Sequence, residues 1–313
     1  MTTTMRAIRQ EVLGAPEVLR EAEVPRPEPG VSQVLVRVHA AGVNPTDWSH
    51  RAFPIFLGPP PFTLGWDVSG VVEATGFGVT LFQPGDEVFG MLPYPHGVGS
   101  HAEYVTAPTR AFASKPRNVD HVQAAALPLA ALTAWQALND TARLEAGQRV
   151  LIHAAAGGVG HLAVQIARAR GAYVIGTASA GNHDLVRGLG ADEMIDYRAT
   201  DFATAVSEVD VVLDTVGGDY PARSLRTGGR LISLLPFPPE VAEEAAARGV
   251  RAQVMLVEHD HGGLSAIADL VTEGKLRPVI AATFPLSDAA KAHELGEKRH
   301  VAGKLVLTVD VPQ

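Results

Sequence analysis

An α/β chain in two parts, a turn-rich β domain and a doubly wound parallel sheet, is predicted by three observations. The first is Ala154-Ala155-Ala156-Gly157-Gly158-Val159-Gly160, a run of small residues between the β-branched segment Arg149–His153 and a helical pattern. The second is the alternation of short apolar strands with helices that continues from there to about residue 257. The third lies earlier: up to about residue 125 the strands are short, alternate apolar with polar, and are broken by Pro and Gly without any repeat.

In the first part the strands are Val34–His39, Val68–Ala74 and Glu87–Gly90, the last opened by the turn Pro84-Gly85-Asp86. An Ala/Leu helix is predicted over Ala124–Leu138, running through Pro128, and Gly147 ends the segment that leads to strand Arg149–His153. After the glycine turn, Val159, Leu162, Ala163, Ile166 and Ala167 fall at i, i+3, i+4, i+7 and i+8, one apolar helix face. Gly171-Ala172 closes that helix and Tyr173–Thr177 forms a second buried strand. Helix Asp184–Leu189 precedes strand Glu193–Tyr197; strands Val209–Asp214, Gly228–Leu234 and Val250–Val257 follow, then a helix over Leu264–Glu273. The final strand, Leu305–Val309, alternates like the first part, so the chain is expected to return there from about Gly274 and to leave a cleft between two domains. The boundaries are 1–124 with 274–313 for the β domain, and 125–273 for the doubly wound one.

Strand, glycine turn, helix, strand is the unit that holds a dinucleotide pyrophosphate over a helix N-terminus. Small residues admit the phosphates, and free amides with the helix dipole favour their charge. Aligned on G-x-G-x-x-G, the positions are Ala155, Gly157 and Gly160, so the first glycine is missing and a ligand-free structural turn is the alternative. The end of the second strand distinguishes the cofactors. An acid there would bind the ribose 2′-hydroxyl of NAD. Here Ala178-Ser179-Ala180-Gly181-Asn182-His183 carries none, Asp184 lies beyond the strand, and Ser179, Asn182 and His183 can donate to a 2′-phosphate. NADPH is the cofactor expected, although no Arg or Lys stands at that point.

Composition excludes several classes. The 313 residues are 46% hydrophobic with a net charge of −8 and no basic run, which argues against nucleic acid and anionic membranes as partners. The chain has no cysteine, hence no disulfide, thiol nucleophile or zinc–thiolate site. The opening Met1-Thr2-Thr3-Thr4-Met5-Arg6 lacks an apolar signal region and no stretch reaches membrane-spanning length, so a cytoplasmic location is expected. His259 and His261 have ligand-like spacing, but Gly262-Gly263 follows and a polar loop end is the preferred reading. His293-Glu294 lacks a second histidine at zincin spacing, and His96 and His101 read as solvated or core histidines. No metal site is expected.

Several stretches together resemble the medium-chain dehydrogenase/reductase superfamily, in its zinc-independent quinone oxidoreductase-like branch. They are Ala41-Gly42-Val43-Asn44-Pro45-Thr46-Asp47, Pro61 through Gly70, Pro84 through Val88, Gly99 through Val105, Leu132-Thr133-Ala134, the glycine turn, Asp214 through Gly218, and Gly303 through Leu307. The resemblance covers nearly the whole chain, in the family's order. It implies a GroES-like β-barrel catalytic domain beside a Rossmann cofactor domain. Zinc alcohol dehydrogenases of this superfamily have a cysteine where Asn44 stands and a histidine where Trp66 stands, and a four-cysteine structural loop absent here. An amide oxygen and an indole do not replace those ligands. Without a Lewis acid, the feasible reaction is hydride delivery to an acceptor that is already conjugated: a quinone, enone or enoyl compound.

Carried over position by position, the resemblance implies cofactor contacts from Ala156, Gly157, Gly158 and Val159 at the pyrophosphate, and from Ser179 and Tyr197 at the 2′-phosphate. His183 takes the place of the relatives' lysine on that stretch. Asp214, Val216, Gly217 and Leu234 follow strands whose carboxyl ends face the ring, and Lys304 closes over the cofactor. Asn44 and Asp47 match the pair near the nicotinamide, and Thr133 the hydroxyl beneath it. A capped turn with Asp47 starting a short helix is the structural alternative for Asn44–Asp47. Fatty enoyl reductases of the superfamily have a tyrosine whose nearest counterpart is Phe53, which disfavours that role; His50, Tyr94 and His101 are the candidate proton donors. The segment Phe53–Phe62, rich in proline, suggests an apolar, rigid substrate pocket. The alternatives are an NADPH-binding protein without turnover, such as a redox sensor or structural protein, and a tailoring reductase for one metabolite. Arg251–Val257, as an outer strand with a bare apolar edge, predicts a homodimer.

Overall fold

The computed structural model describes residues 4–310. They form two compact units, one made of the chain up to Leu132 and from Glu258 onward, the other of Thr133–Val257. The first unit holds strands β1 (Thr4–Gln10), β2 (Arg20–Pro25), β3 (Gln33–Val43), β4 (Phe62–Thr63), β5 (Asp67–Thr75), β6 (Glu87–Met91), β7 (Tyr104–Pro108) and β8 (Phe112–Ser114). The second holds β9 (Arg149–Ile152), β10 (Tyr173–Ala178), β11 (Glu193–Asp196), β12 (Val211–Asp214), β13 (Arg230–Ser233) and β14 (Ala252–Val254). β15 (Ile280–Pro285) and β16 (Lys304–Thr308) complete the first unit.

The first unit's larger sheet runs β15-β16-β3-β5-β6-β8, with β7 also on β3, and β2-β1-β4 forms a second sheet. β3 is the longest strand because its alternation buries Val34, Val36, Val38 and Ala40 on one side. β16 pairs antiparallel with β3, Leu305 opposite Val43, which carries the C-terminal residues back to this sheet. Helix α1 (Pro45–Ala52) leaves β3 directly: Asn44 is its N-cap, Pro45 opens it and Asp47 stands at its third position.

The second unit is a parallel sheet of order β11-β10-β9-β12-β13-β14. The order reverses between β9 and β12, the switch point at which open α/β sheets bind ligands beyond their carboxyl ends. Its four inner strands are buried on both faces, so Leu151, Ile175, Val212 and Leu231 form one core with Phe202 and Val241 from the covering helices.

The observed elements depart from the sequence reading in three places. The helix over Ala124–Leu138 is divided into α2 (His121–Ala125), α3 (Pro128–Trp135) and a π turn over Gln136–Thr141. Pro128 has no amide to continue a helix and opens a new one instead. Asp120 starts α2 earlier than the Ala/Leu run, accepting from Gln123 N at 2.8 Å while Gln123 Oε1 accepts from Asp120 N at 3.2 Å. The strand over Val250–Val257 shrinks to Ala252–Val254, because an edge strand has only one neighbour to hold it.

The third departure concerns the domain limits. Residues 125–132 and 258–273 lie with the first unit rather than with the parallel sheet. Side chains distant in sequence account for it: His261 Nδ1, at the start of the helix His261–Thr272, is 2.7 Å from Phe112 O, and Asn118 donates to Val271 O at 2.8 Å.

Candidate active site

In the first unit a buried polar network gathers around the start of α1. Asn44 Nδ2 donates to Asp67 Oδ2 at 2.8 Å, and Lys304 Nζ donates to Asn44 Oδ1 and stands 3.4 Å from the same Asp67 oxygen. The other Asp67 oxygen accepts from Leu129 N at 2.6 Å. Both sides of the Asn44 amide are therefore assigned by their neighbours, and one amide hydrogen is left over. The Asn44, Asp67 and Lys304 side chains are all buried.

Asp47 lies beneath this network and has no exposed surface. Its carboxylate accepts from Asn44 N at 2.7 Å and from Gly65 N at 3.1 Å. Burial pushes its pKa up to about 8, opposed by the Asn44 and Gly65 amides and by Lys304, and aided by Asp67. Asp47 thus ties α1 to the Gly65 turn and acts as a positioning residue for Asn44. The capped-helix reading of Asn44–Asp47 describes this stretch. Lys304 holds the Asn44 carbonyl within its own unit. Thr133 is buried on α3, one turn beyond Leu129.

In the second unit five turns gather at the sheet's carboxyl edge. After β9, Ala154 takes a left-handed φ of 47°, and Gly157 N donates to Ala154 O at 2.8 Å, folding the turn tightly. A Cβ at Gly160 would run into that same carbonyl oxygen, so only glycine admits this approach. The amides of Ala156, Gly158, Val159 and Gly160 meet no acceptor among the described residues. They crown the N-terminus of α4 (Gly160–Ala169), a cradle suited to a pyrophosphate. Behind the turn, His153 is locked between Thr177 Oγ1 at 3.2 Å and Ser224 Oγ at 3.0 Å, and burial drives its pKa down to about 3.

After β10, Ser179 Oγ accepts from Asn182 Nδ2 at 3.2 Å, while the His183 ring turns back to Ala178 O at 3.2 Å. After β11 come Tyr197 and Arg198, both exposed, with the guanidinium 5.7 Å from the Tyr197 ring centroid. Pairing of Ala178 with Asp196 brings this turn beside Ser179. Arg198 is the residue the sequence reading missed; its signal is positional, since only the parallel register relates it to Ser179 across 19 residues. After β12, the buried Asp214 accepts from Val216 N at 2.9 Å, Gly217 N at 3.1 Å and Ser233 Oγ at 2.8 Å. Its carboxylate therefore shapes the Val216–Gly217 turn. Leu234 follows β13, its amide bonded to Asp214 O at 2.9 Å.

The sequence matches the profile of the alcohol dehydrogenase GroES-like domain over residues 30–117 and that of a zinc-binding dehydrogenase over residues 189–307. It is 36% identical to mouse "NAD(P)H oxidoreductase RTN4IP1, mitochondrial", covering 89% of this chain and 82% of that protein. It is 34% identical to rat quinone oxidoreductase over 96% of each. The solved quinone oxidoreductase of Coxiella burnetii superposes with a TM-score of 0.92 at 40% identity, over 98% of this chain and all of that one. This chain belongs to the medium-chain dehydrogenase/reductase superfamily, in its quinone oxidoreductase-like branch. It is an oxidoreductase of the nicotinamide-dependent kind.

The zinc that one of these profile names mentions does not suit the donors present. The Asn44 carbonyl faces the Lys304 ammonium, Trp66 offers an indole, and no group of three His, Asp or Glu among the described residues is arranged to hold a metal. Nor is any helix among them long and apolar enough to cross a membrane.

Proposed function

We propose that this protein is an NADPH-dependent, zinc-independent reductase that transfers hydride to a quinone or another conjugated carbonyl. The observation that carries the reading is the Lys304–Asn44–Asp67 network, a buried ammonium held against the Asn44 carbonyl, the position at which the resemblance places a zinc-ligating cysteine in the zinc alcohol dehydrogenases. A reductase built this way needs an acceptor whose own conjugation spreads the arriving charge. The names of the relatives, quinone oxidoreductase and NAD(P)H oxidoreductase, support the same class of acceptor and cofactor.

The bound cofactor supplies the hydride; the protein's part is positioning and electrostatics. The free amides of Ala156, Gly158, Val159 and Gly160 receive the pyrophosphate, beside the Asp214-braced turn at Val216 and Gly217. Ser179, Tyr197 and Arg198 favour a 2′-phosphate, Arg198 supplying the cation that the strand end itself lacks. Lys304 and Asp67 hold the Asn44 amide in one orientation, with Asp47 fixing the backbone beneath it.

The test is oxidation of NADPH and of NADH, each against 1,4-quinones, alkenals and enoyl thioesters, with metal analysis of the same sample. Faster NADPH oxidation by quinones or alkenals without stoichiometric metal is expected. NADPH binding with no turnover on any acceptor would instead favour a sensor or structural role, and turnover confined to enoyl thioesters a tailoring reductase. A homodimer is part of the proposal: β14 is an edge strand with Val254 46% and Leu256 52% exposed nearby. Elution as a monomer at micromolar concentration would count against it. We also propose a cytoplasmic location, and recovery of the protein in an organelle fraction would count against it.

A further inference from the structure

Beside the start of α1 lies a group of aromatic rings that the Asn44 network does not use. Tyr94 stands against Trp66 at 5.3 Å between ring centroids, against Phe56 at 6.3 Å and against His50 at 6.5 Å. Trp66 and His50 are buried, Tyr94 is half-buried, and Phe53, Ile55 and Phe56 nearby are 64%, 47% and 45% exposed. An apolar, aromatic-lined surface therefore borders one phenol. Trp66 also adjoins Asp67 in sequence, and His50 lies on the helix that Asn44 caps, so this group and the Asn44 network share the same two elements.

The heavy-atom distances around Tyr94 favour one arrangement of protons. His50 Nδ1 is 2.8 Å from Thr46 O, which only an N–H can approach favourably, so the ring donates there. Thr46 Oγ1 lies 3.1 Å from the same Nδ1 and meets its N–H, so the threonine hydroxyl keeps its own hydrogen to donate to Tyr94 Oη at 3.3 Å. The Tyr94 oxygen is thus an acceptor within the protein, and its own proton is left for something outside it. Two further polar atoms beside this phenol, Trp66 Nε1 and His50 Nε2, are buried without a partner. Burial raises the Tyr94 pKa, with Asp47 adding to it, so the phenol keeps its proton at neutral pH.

We propose that Tyr94 is the proton donor of the reduction, giving its phenolic hydrogen to the carbonyl oxygen of a flat, conjugated acceptor seated against the exposed Phe56, with the buried Trp66 backing the phenol. This rests on the reductase reading above. Hydride brings two electrons and one hydrogen to the acceptor carbon framework, and negative charge gathers on the acceptor oxygen. The O–H bond of Tyr94 breaks as that oxygen takes the proton, and the phenolate left behind is reprotonated by water at its exposed edge. The product has gained one hydride and one proton.

The experiment compares two acceptors that differ in the basicity of the oxygen they develop. An enone yields a basic enolate that needs a donor; a halogenated benzoquinone yields a weakly basic anion that does not. Tyr94→Phe should lower kcat on the enone by about 10²-fold and on the halogenated quinone by no more than about threefold, following Brønsted behaviour. Thr46→Val, which keeps the phenol but frees its oxygen, should show the same acceptor dependence at smaller amplitude, and it decides the matter should Tyr94→Phe not fold. Equal loss on both acceptors, or loss on neither, overturns the proposal. A second readout needs no turnover: 4-nitrophenolate should bind the wild-type protein about tenfold more tightly than the Tyr94→Phe variant, one charge-assisted hydrogen bond. Equal or absent binding overturns the donor role. A wild-type protein inert towards both acceptors would end the reductase reading, and phenolate binding would still decide whether Tyr94 donates.

Discussion

Lys304 and Asp67 form a buried ion pair, Nζ to Oδ2 at 3.4 Å, with side chains 3% and 0% exposed and the Asn44 amide between them. A buried pair of this kind is a weak source of net stability, yet breaking it is costly because one charge is left uncompensated. Lys304→Met should therefore lower unfolding stability by about 3–5 kcal/mol. The double variant Lys304→Met/Asp67→Asn should recover a large part of that loss. Denaturant unfolding of the four proteins checks the cycle, and additive losses would show that the pair is not coupled.

The pH dependence of stability has a predictable shape. Asp47 holds its proton up to about pH 8 in the folded state against an ordinary value of 3.8, so its contribution declines as pH rises between those values. His101 and His121 are pushed down to about 4 and His153 to about 3, chiefly by burial. These rings must stay neutral in the fold, so their contribution is present above the ordinary 6.5 and is lost as pH falls below it. His39, His50 and His293 are lowered by burial as well, so on the acid side the imidazoles outweigh one carboxyl, and from 6.5 to 8 Asp47 acts alone. Thermal stability should peak near pH 6.5, and Asp47→Asn should flatten the decline from there to pH 8.5. A decline unchanged in that variant would remove Asp47 from the account.

How much of this was legible in the sequence depended on range. The glycine turn, the apolar face of the helix behind it and the strands on either side are local patterns, and the structure forms them within a residue or two. The aim of side chains was not local. Asp214 and Asp47 stand where the family pattern puts cofactor-facing residues, but their carboxylates turn to backbone amides that periodicity cannot locate. Arg198 escaped notice because a parallel register, not sequence distance, sets it beside Ser179. The Glu258–Glu273 segment joins the first unit through His261 and Asn118, contacts made 149 and 153 residues away in sequence.

The turn after β9 gives a test of the nucleotide cradle. Gly160→Ala puts a methyl against the Ala154 carbonyl, which is backbone and cannot yield cheaply. Gly157→Ala meets the same oxygen at 3.1 Å, a contact that a small shift relieves. NADPH affinity should fall by more than about 10²-fold in the first, on the scale of a lost anion site, and by about tenfold or less in the second. Fluorescence titration measures both, and the reverse ranking would mean that the phosphates bind elsewhere.

Arg198 should govern the choice between the two reduced cofactors. It is exposed, its guanidinium lies by the Tyr197 ring, and its own amide is fixed by Asp196 Oδ1 at 3.0 Å. A charge-assisted contact from an exposed arginine to a 2′-phosphate contributes about 1.4 kcal/mol, a factor of ten. Arg198→Ala should therefore weaken NADPH about tenfold and leave NADH unchanged, and Arg198→Glu should weaken NADPH further by repulsion. The effect should shrink with salt, since the contact is open to solvent. Salt-dependent titrations with both nucleotides check it. Equal weakening of NADPH and NADH would place Arg198 away from the 2′-phosphate and return the discrimination to Ser179 and Tyr197 alone.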